Sequence, residues 1–150
     1  MNKSMEKFIQ QFKSTKNKTY TVTSKVTANN GSFVSVAFNI VEKDSKAGIL
    51  SKETDGITFN AKSGKSLLLK DLFVPNYEKE LENLISVKFT ELGLPKSDEE
   101  RFKGVSKKTN FYLENDALIL VYNNNLGTSF ADGQAFIPFL LKDLEGIIQQ

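Results

Sequence analysis

The sequence predicts an α+β domain: an antiparallel sheet with an N-terminal helix, a long central helix and a short C-terminal helix packed against it. Apolar residues recur with helical spacing near the N terminus and again after residue 76, whereas several other segments alternate apolar and polar residues as strands do. Helices and strands do not alternate strictly, which favours antiparallel hairpins over parallel β-α-β units. With 150 residues and no linker or repeat, we expect a single domain, 1–150.

The first helix is predicted over residues 4–14. Its apolar side chains are spaced as on one helical face: Met5, Phe8, Ile9 and Phe12. Alternating residues 20–28 and 33–41 then predict two strands, joined by a hairpin turn at Asn29, Asn30 and Gly31 because Asn and Gly tolerate positive φ. Residues 42–48 are predicted to form a loop. Residues 49–60 are predicted to form a third strand, with a turn considered within polar residues 52–56.

The middle of the chain is predicted to be helical. A turn at residues 62–65 and a short apolar run at 67–69 precede a helix from Asn76 to about residue 92. Gly93 and Pro95 stop this helix, because neither residue favours its continuation. Residues 97–100 fit a capping box for one short helical turn that Gly104 ends.

The last third of the chain is predicted to contain three strands and the C-terminal helix. Strands at 109–113 and 118–122 flank a tight turn at Asn115 and Asp116. A polar loop, 123–133, leads to a third strand at 133–139, and residues 141–150 are predicted to form the short helix. Loops of this length between strands are often functional.

The composition excludes several classes of chemistry. There is no Cys and no His, which removes zinc sites, Cys nucleophiles and His-dependent acid–base catalysis, so no metal or cofactor is expected. A net charge of +2 is too balanced to indicate nucleic acid binding. No apolar run is long enough for a transmembrane helix, and the first residues do not resemble a signal peptide.

Three possible reactive sites are weak. The run from Ser63 to Ser66 lacks the glycine that a phosphate-binding loop requires, since Phe59 occupies that position. Acidic residues do not form the alternating ligand pattern of a calcium loop: Asp55, Asp71, Glu114, Asp116 and Asp132. Ser–Lys pairs are chemically possible, but no nucleophile-elbow spacing selects one. We therefore expect no enzyme activity from these residues.

The loop at 123–133 is the predicted contact surface. Its amides suit hydrogen bonds to a sugar, and Phe130 or Tyr122 suit stacking against one. The alternative is an ordered loop whose Asn and Gly residues satisfy local turns and whose Phe130 fills the core. The predicted ligand-binding residues are Tyr122, Asn123, Asn124, Asn125, Thr128, Phe130 and Asp132.

From Ile57 onward, the order of motifs resembles a bacterial extracytoplasmic domain of unknown function. That family forms the sensor region of anti-sigma-V factors and precedes the catalytic domain of some peptidoglycan deacetylases. The resemblance rests on the strand and Gly-Lys turn at 57–65, the apolar run ending at Phe73, the central helix, and the last hairpin with its loop ending at Gly133 and its Phe-Ile-Pro-Phe strand. Residues 1–56 resemble the region that usually precedes it. Two departures are Asn125 and Ser129, where the family usually has Tyr and Pro, and a missing His near residues 46–48.

The resemblance implies a non-catalytic binding or sensor module outside the cytoplasmic membrane of a Gram-positive organism. Its implied partner is a lysozyme-like protein or a peptidoglycan fragment, not nucleic acid. Two alternatives remain open at this point. One is a glycan hydrolase or esterase that uses a pair of carboxylates in a cleft. The other is a structural module that assembles through a sheet edge or the N-terminal helix.

Overall fold

Two antiparallel sheets dominate the computed structural model, which describes residues 1–94, 104–123 and 134–149. The N-terminal sheet has four strands in the order of the chain: β1 (Lys18–Asn29), β2 (Phe33–Asp44), β3 (Gly48–Asn60) and β4 (Ser66–Leu67). The C-terminal sheet has three: β5 (Asn110–Glu114), β6 (Ala117–Asn123) and β7 (Gln134–Leu140). The α-helices of these ranges are α1 (Asn2–Ile9) and α2 (Glu78–Glu91). The α+β class is confirmed, but the protein is richer in sheet than predicted.

The predicted single sheet is instead two, because the backbones of β5 and β3 approach closely without pairing as strands. Gly56 of β3 lies directly against the backbone of Phe111 in β5: a Cβ atom at position 56 would collide with the Phe111 carbonyl and lie 2.9 Å from the Tyr112 Cβ. Ser35 of β2 accepts a hydrogen bond from the Leu113 N–H at 2.9 Å. The β5 strand therefore crosses the face of the N-terminal sheet.

The first N-terminal hairpin, β1–β2, has the predicted turn, whereas the second, β2–β3, has longer strands than predicted. Asn30 accepts hydrogen bonds from the Phe33 and Ser32 N–H groups, and Gly31 has φ 83, as the predicted turn requires. The second hairpin is longer than predicted, since β2 and β3 extend into the expected loop at 42–48 and the polar residues 52–56 form no turn. The Asp44 carboxylate closes it by accepting bonds from the N–H groups of Lys46 and Ala47.

Helix α1 covers the outer face of the N-terminal sheet. The ring centroid of Phe8 lies 4.7 Å from that of Phe38 and 5.3 Å from that of Phe12. The helix ends at Ile9 instead of residue 14, because the N–H groups of Gln11 and Phe12 bond carbonyls three residues earlier and tighten the chain into turns. Met5, Phe8 and Phe12 of the predicted apolar face pack on a small cluster centred on Val36, Phe38 and Ile40. Ile9, the fourth predicted residue, is exposed.

The larger core lies between α2 and the C-terminal sheet. The helix contributes Leu81, Ile85 and Phe89, each at most 2% exposed. Alternate residues of all three strands face it: Phe111, Leu113, Leu118, Leu120, Tyr122, Ala135, Ile137 and Phe139. The helix falls within the predicted residues 76–92. Among the described residues, no helix is long and apolar enough to cross a membrane.

The C-terminal segment is shorter in helix than predicted. A single 3-10 turn, Leu141–Leu144, replaces the helix expected over 141–150. Gly146 has φ 96, which ends any helical path, and the chain then runs back along the core. The Val74 N–H donates to the Ile147 carbonyl at 2.8 Å, and the Gln149 N–H donates to the Leu72 carbonyl at 2.8 Å. Together with the antiparallel bridge between Phe73 and Ile148, these bonds join the end of the chain to residues 72–74, and no further helix follows Leu144 within the described residues.

Candidate binding sites at the two ends of the C-terminal sheet

The predicted contact loop joins β6 to β7 at one end of the C-terminal sheet. Two of its seven predicted binding residues, Tyr122 and Asn123, lie at the end of β6 within the described structure. The other five lie outside the described residues: Asn124, Asn125, Thr128, Phe130 and Asp132.

Tyr122 lies in the interior, not on the predicted contact surface. Its side chain is on the face of β6 that packs against α2, and the residue is 7% exposed. Burial raises the pKa of its hydroxyl, and the negative charge of Glu82 adds to the increase. In this position the Tyr122 ring cannot stack against a ligand in solvent. The alternation of β6 with Leu118 and Leu120 is the sequence feature that indicates this face.

Asn123 is also buried, at 5% exposure, and its amide bonds the backbone of Thr54 in β3. The Thr54 N–H donates to Asn123 Oδ1 at 3.1 Å, and Asn123 Nδ2 donates to the Thr54 carbonyl at 3.1 Å. The side chain thus satisfies both backbone groups of Thr54, as a neighbouring strand would. Asn123 therefore anchors the start of the loop to the other sheet.

The residue after the loop is anchored to the same threonine. Gln134 pairs with Asn123 in the β6–β7 register, and its Oε1 lies 2.8 Å from the Thr54 hydroxyl. The hydroxyl, which has one hydrogen to donate, also has Oδ1 of Asn39 within 3.0 Å. The two described residues that flank segment 124–133 therefore both lie beside Thr54. No local sequence pattern predicts this residue, because it is 69 positions from Asn123 and 80 from Gln134.

A second asparagine completes the attachment of the two sheets. Asn110 Nδ2 donates to the Thr54 carbonyl at 2.6 Å and to the Asp55 carboxylate at 2.9 Å, while its Oδ1 accepts from the Gly56 N–H at 2.8 Å. Burial raises the pKa of Asp55 above its ordinary value. Since β4 pairs with β3 only at Thr58 and Phe59, these amides occupy the edge that β4 leaves open.

A cleft of about 920 Å³ lies at the opposite end of the C-terminal sheet. It is bordered by the β1–β2, β3–β4 and β5–β6 turns and by the C-terminal segment. Its apolar lining comes from Phe33, Leu67, Leu72, Leu113, Leu140, Leu141 and Ile148. Its polar lining comes from Ser32, Asn60, Lys62, Asp71, Asp116, Lys142, Glu145 and Gln149. Volume and mixed lining are those of a small-molecule or peptide site.

Several polar groups of the cleft are already used by the fold. Asn60 Oδ1 accepts bonds from the Lys62 and Ser63 N–H groups, which makes the run from residue 63 a turn. Asp71 accepts the Leu68 N–H at 2.8 Å and caps the 3-10 helix Leu69–Leu72. Gln149 Nε2 donates to the Phe73 carbonyl at 2.7 Å. Charged groups beyond these are exposed and can meet a ligand.

Comparison with solved structures places this fold beside proteins of the DUF3298 family, a domain of unknown function. One is a family member from Bacteroides fragilis NCTC 9343, with a TM-score of 0.72 at 16% identity over 99% of this chain. Another is a family protein from Pseudomonas aeruginosa PAO1, with a TM-score of 0.67 at 15% identity over 99% of this chain. The chain spans 61% of the first protein and 69% of the second.

At these identities the likeness establishes the fold and nothing about ligands. No protein-family model matches the sequence. No curated protein matches it either. The protein is thus a sheet-rich α+β domain with the fold of DUF3298 proteins. Within the described ranges, no group of three or more acidic residues is arranged to hold a metal ion.

Proposed function

We propose that this chain is a non-catalytic binding or sensor module of the bacterial cell envelope. It acts outside the cytoplasmic membrane and recognises a lysozyme-like protein or a cell-wall glycan through residues 124–132. The fold shared with DUF3298 proteins agrees with the resemblance to a domain of unknown function and supports that part of the proposal alone. The proposed location in the cell envelope and the proposed partner both rest on the resemblance of the sequence to anti-sigma-V sensor regions and peptidoglycan deacetylases.

One observation carries the choice of surface: the residues on both sides of segment 124–133 bond to Thr54. Asn123 holds its backbone and Gln134 lies 2.8 Å from its hydroxyl. Because both flanking residues are fixed to the buried Thr54, fewer conformations are open to the connection between them, which lowers the entropic cost of binding. Asn123 is buried and bonded to Thr54, so it supports the loop instead of contacting the partner. Residues 124–132 make the proposed contacts.

Calorimetric titration of the purified chain tests this function, with hen egg-white lysozyme and soluble peptidoglycan fragments as separate titrants. We expect saturable binding to one of the two. A combined variant, Asn124→Ala, Asn125→Ala and Phe130→Ala, is expected to abolish that binding while the circular dichroism spectrum is unchanged.

A matched control removes two exposed amides and one exposed apolar side chain elsewhere: Asn17→Ala, Asn83→Ala and Leu68→Ala. It is expected to retain the affinity of the parent chain. The absence of binding to both titrants by a folded sample would reject the proposed function. Equal affinities of the loop variant and the parent would reject the assigned surface.

A further inference from the structure

The cleft is separated from the proposed loop surface by the length of the C-terminal sheet. Strand β6 starts at Ala117, beside the cleft, and ends at Asn123, beside the loop. At about 3.4 Å per residue, the two sites are roughly 20 Å apart. A ligand in the cleft would therefore contact other residues than a partner bound at segment 124–133.

The floor of the cleft is apolar and partly open to solvent. Leu72 and Leu113 form its deep part, each 3% exposed, whereas Leu140 at its border is 47% exposed. Phe33 and Leu67 are half-buried beside them. An apolar ligand group seated here would cover surface that now contacts water, and each buried methylene would contribute roughly 0.8 kcal/mol of transfer free energy.

The border of the cleft carries charges of both signs that do not pair with each other. Lys62 and Lys142 supply the cations, and Asp116 and Glu145 supply anions; all four are exposed. In the described parts of the chain, the ion pairs join Lys18 to Glu42 and Lys88 to Glu91, and neither involves the cleft. The four groups are therefore available to a ligand that itself carries both charges.

We propose that this cleft binds a short peptide in which an apolar side chain lies between a basic and an acidic side chain. The apolar side chain occupies the floor, and the two charges meet carboxylates and ammonium groups of opposite sign at the border. Ser32 and Asn60 line the same cleft, and the Ser32 hydroxyl and the Asn60 amide group suit hydrogen bonds to the amide groups of a peptide backbone.

Other ligand classes match the lining less well. A phosphate-rich ligand would be repelled by the carboxylates of Asp71, Asp116 and Glu145. A neutral glycan would leave the four charges without partners, and Phe33 is the sole aromatic residue of the lining on which a sugar could stack. The combination of an apolar floor with both signs of charge therefore favours a peptide.

Nuclear magnetic resonance of the full ¹⁵N-labelled chain tests the proposal with four capped tripeptides. Lys-Phe-Glu and Glu-Phe-Lys carry both charges, and Gln-Phe-Gln carries none but keeps the apolar side chain. Lys-Gly-Glu keeps the charges without an apolar group. We expect saturable shifts at the Lys62, Leu113 and Asp116 amides with a dissociation constant below about 1 mM for at least one doubly charged Phe peptide. The neutral peptide is expected to bind about fivefold more weakly.

Two exposed charges provide the variants. Asp116→Asn and Lys142→Gln each remove one charge without changing the apolar floor, and each is expected to reduce the preference for the charged peptide over the neutral one. The absence of shifts at the cleft amides at about 10 mM peptide, tenfold above the expected limit on the dissociation constant, would overturn the proposal. Equal affinity for the charged and neutral Phe peptides, or shifts confined to the Asn123 and Gln134 amides, would also overturn it. Lysozyme binding at the loop is measured separately and does not enter this outcome.

Discussion

Asn123 of β6 bonds both backbone groups of Thr54 in β3, with its Oδ1 and Nδ2 each 3.1 Å from the Thr54 backbone atom that they contact. The two residues belong to different sheets and are separated by 69 positions in the sequence. A side-chain amide reproduces the pattern of a paired strand, so the edge of β3 is closed at Thr54, where β4 does not pair with it. This pair of residues therefore fixes the position of one sheet relative to the other at the end of β6.

Replacing Asn123 by Ala is expected to destabilise the protein by about 2–3 kcal/mol. The Thr54 N–H would lose its acceptor while it remains buried, and an unsatisfied buried donor costs about 1–3 kcal/mol in addition to the lost packing. Urea unfolding followed by circular dichroism measures the effect. Asn83→Ala, at an exposed position of α2, is the control and should change stability by less than about 0.5 kcal/mol. A similar small loss for Asn123→Ala would contradict the anchoring role.

Replacing Thr54 by Val tests the hydroxyl apart from the backbone bonds. The substitution conserves shape but leaves Gln134 Oε1 and Asn39 Oδ1 without the hydroxyl that lies within 3.0 Å of both. We expect a loss of about 1–2 kcal/mol, and Thr54→Ser should recover most of it. Hydrogen exchange adds a local readout: the Gln134 amide should exchange faster in Thr54→Val than in Thr54→Ser. Equal exchange in the two variants would show that the hydroxyl does not hold the loop.

Gly56 is required for the close approach of the two sheets. A Cβ atom there would collide with the Phe111 carbonyl, and backbone atoms cannot move aside as a flexible side chain can. Gly56→Ala is expected to cost about 3 kcal/mol or more, because relief of the collision separates β5 from β3. Lys52→Ala, at an exposed position of the same strand, should stay within about 0.5 kcal/mol in the same unfolding assay. A tolerated alanine at position 56 would contradict the observed packing.

The elements that the sequence predicts well are those defined by nearby residues. The turn at Asn30 and Gly31 depends on local conformational freedom, and the helix from Glu78 to Glu91 follows from apolar spacing. The three strands at 110–114, 117–123 and 134–140 were predicted, but their separation into a second sheet could not be predicted in this way. Its attachment depends on Asn110 and Asn123, whose amides look like ordinary loop residues until Thr54 is placed beside them.

The candidate sites show the same limit. Tyr122 ends the predicted strand and Asn123 begins the predicted polar loop, so both are predicted to lie on an exposed contact surface, whereas β6 is buried on both of its faces through Asn123. The cleft was not predicted because its lining comes from turns far apart in the chain. Lys62 and Lys142 reach the same cleft only because β3 ends, and the C-terminal segment returns, at the same end of the core.

The folded state shifts the pKa values of Asp55 and Asp44 in opposite directions, and the pH dependence of stability tests both shifts. Burial raises the pKa of Asp55 above 3.8, while the N–H groups of Ala47 and Lys46 lower the pKa of Asp44 below 3.8. A raised folded pKa means that the folded state holds its proton more tightly than the unfolded chain. The contribution of Asp55 to stability is therefore complete below pH 3.8 and is lost as the pH rises through its folded pKa. The contribution of Asp44 is complete above 3.8 and is lost as the pH falls.

Asp55→Asn and Asp44→Asn should consequently change the pH profile in opposite directions. We expect the stability of the parent minus that of Asp55→Asn to decrease as the pH rises above 3.8, and Glu53 contributes in the same sense because burial and the charge of Asp55 raise its pKa. The corresponding difference for Asp44→Asn should increase as the pH rises towards 3.8. Urea unfolding at half-unit steps from pH 2.5 to about 7 measures both. Parallel profiles of the two variants would show that the partial burial of Asp55 does not penalise its charged form.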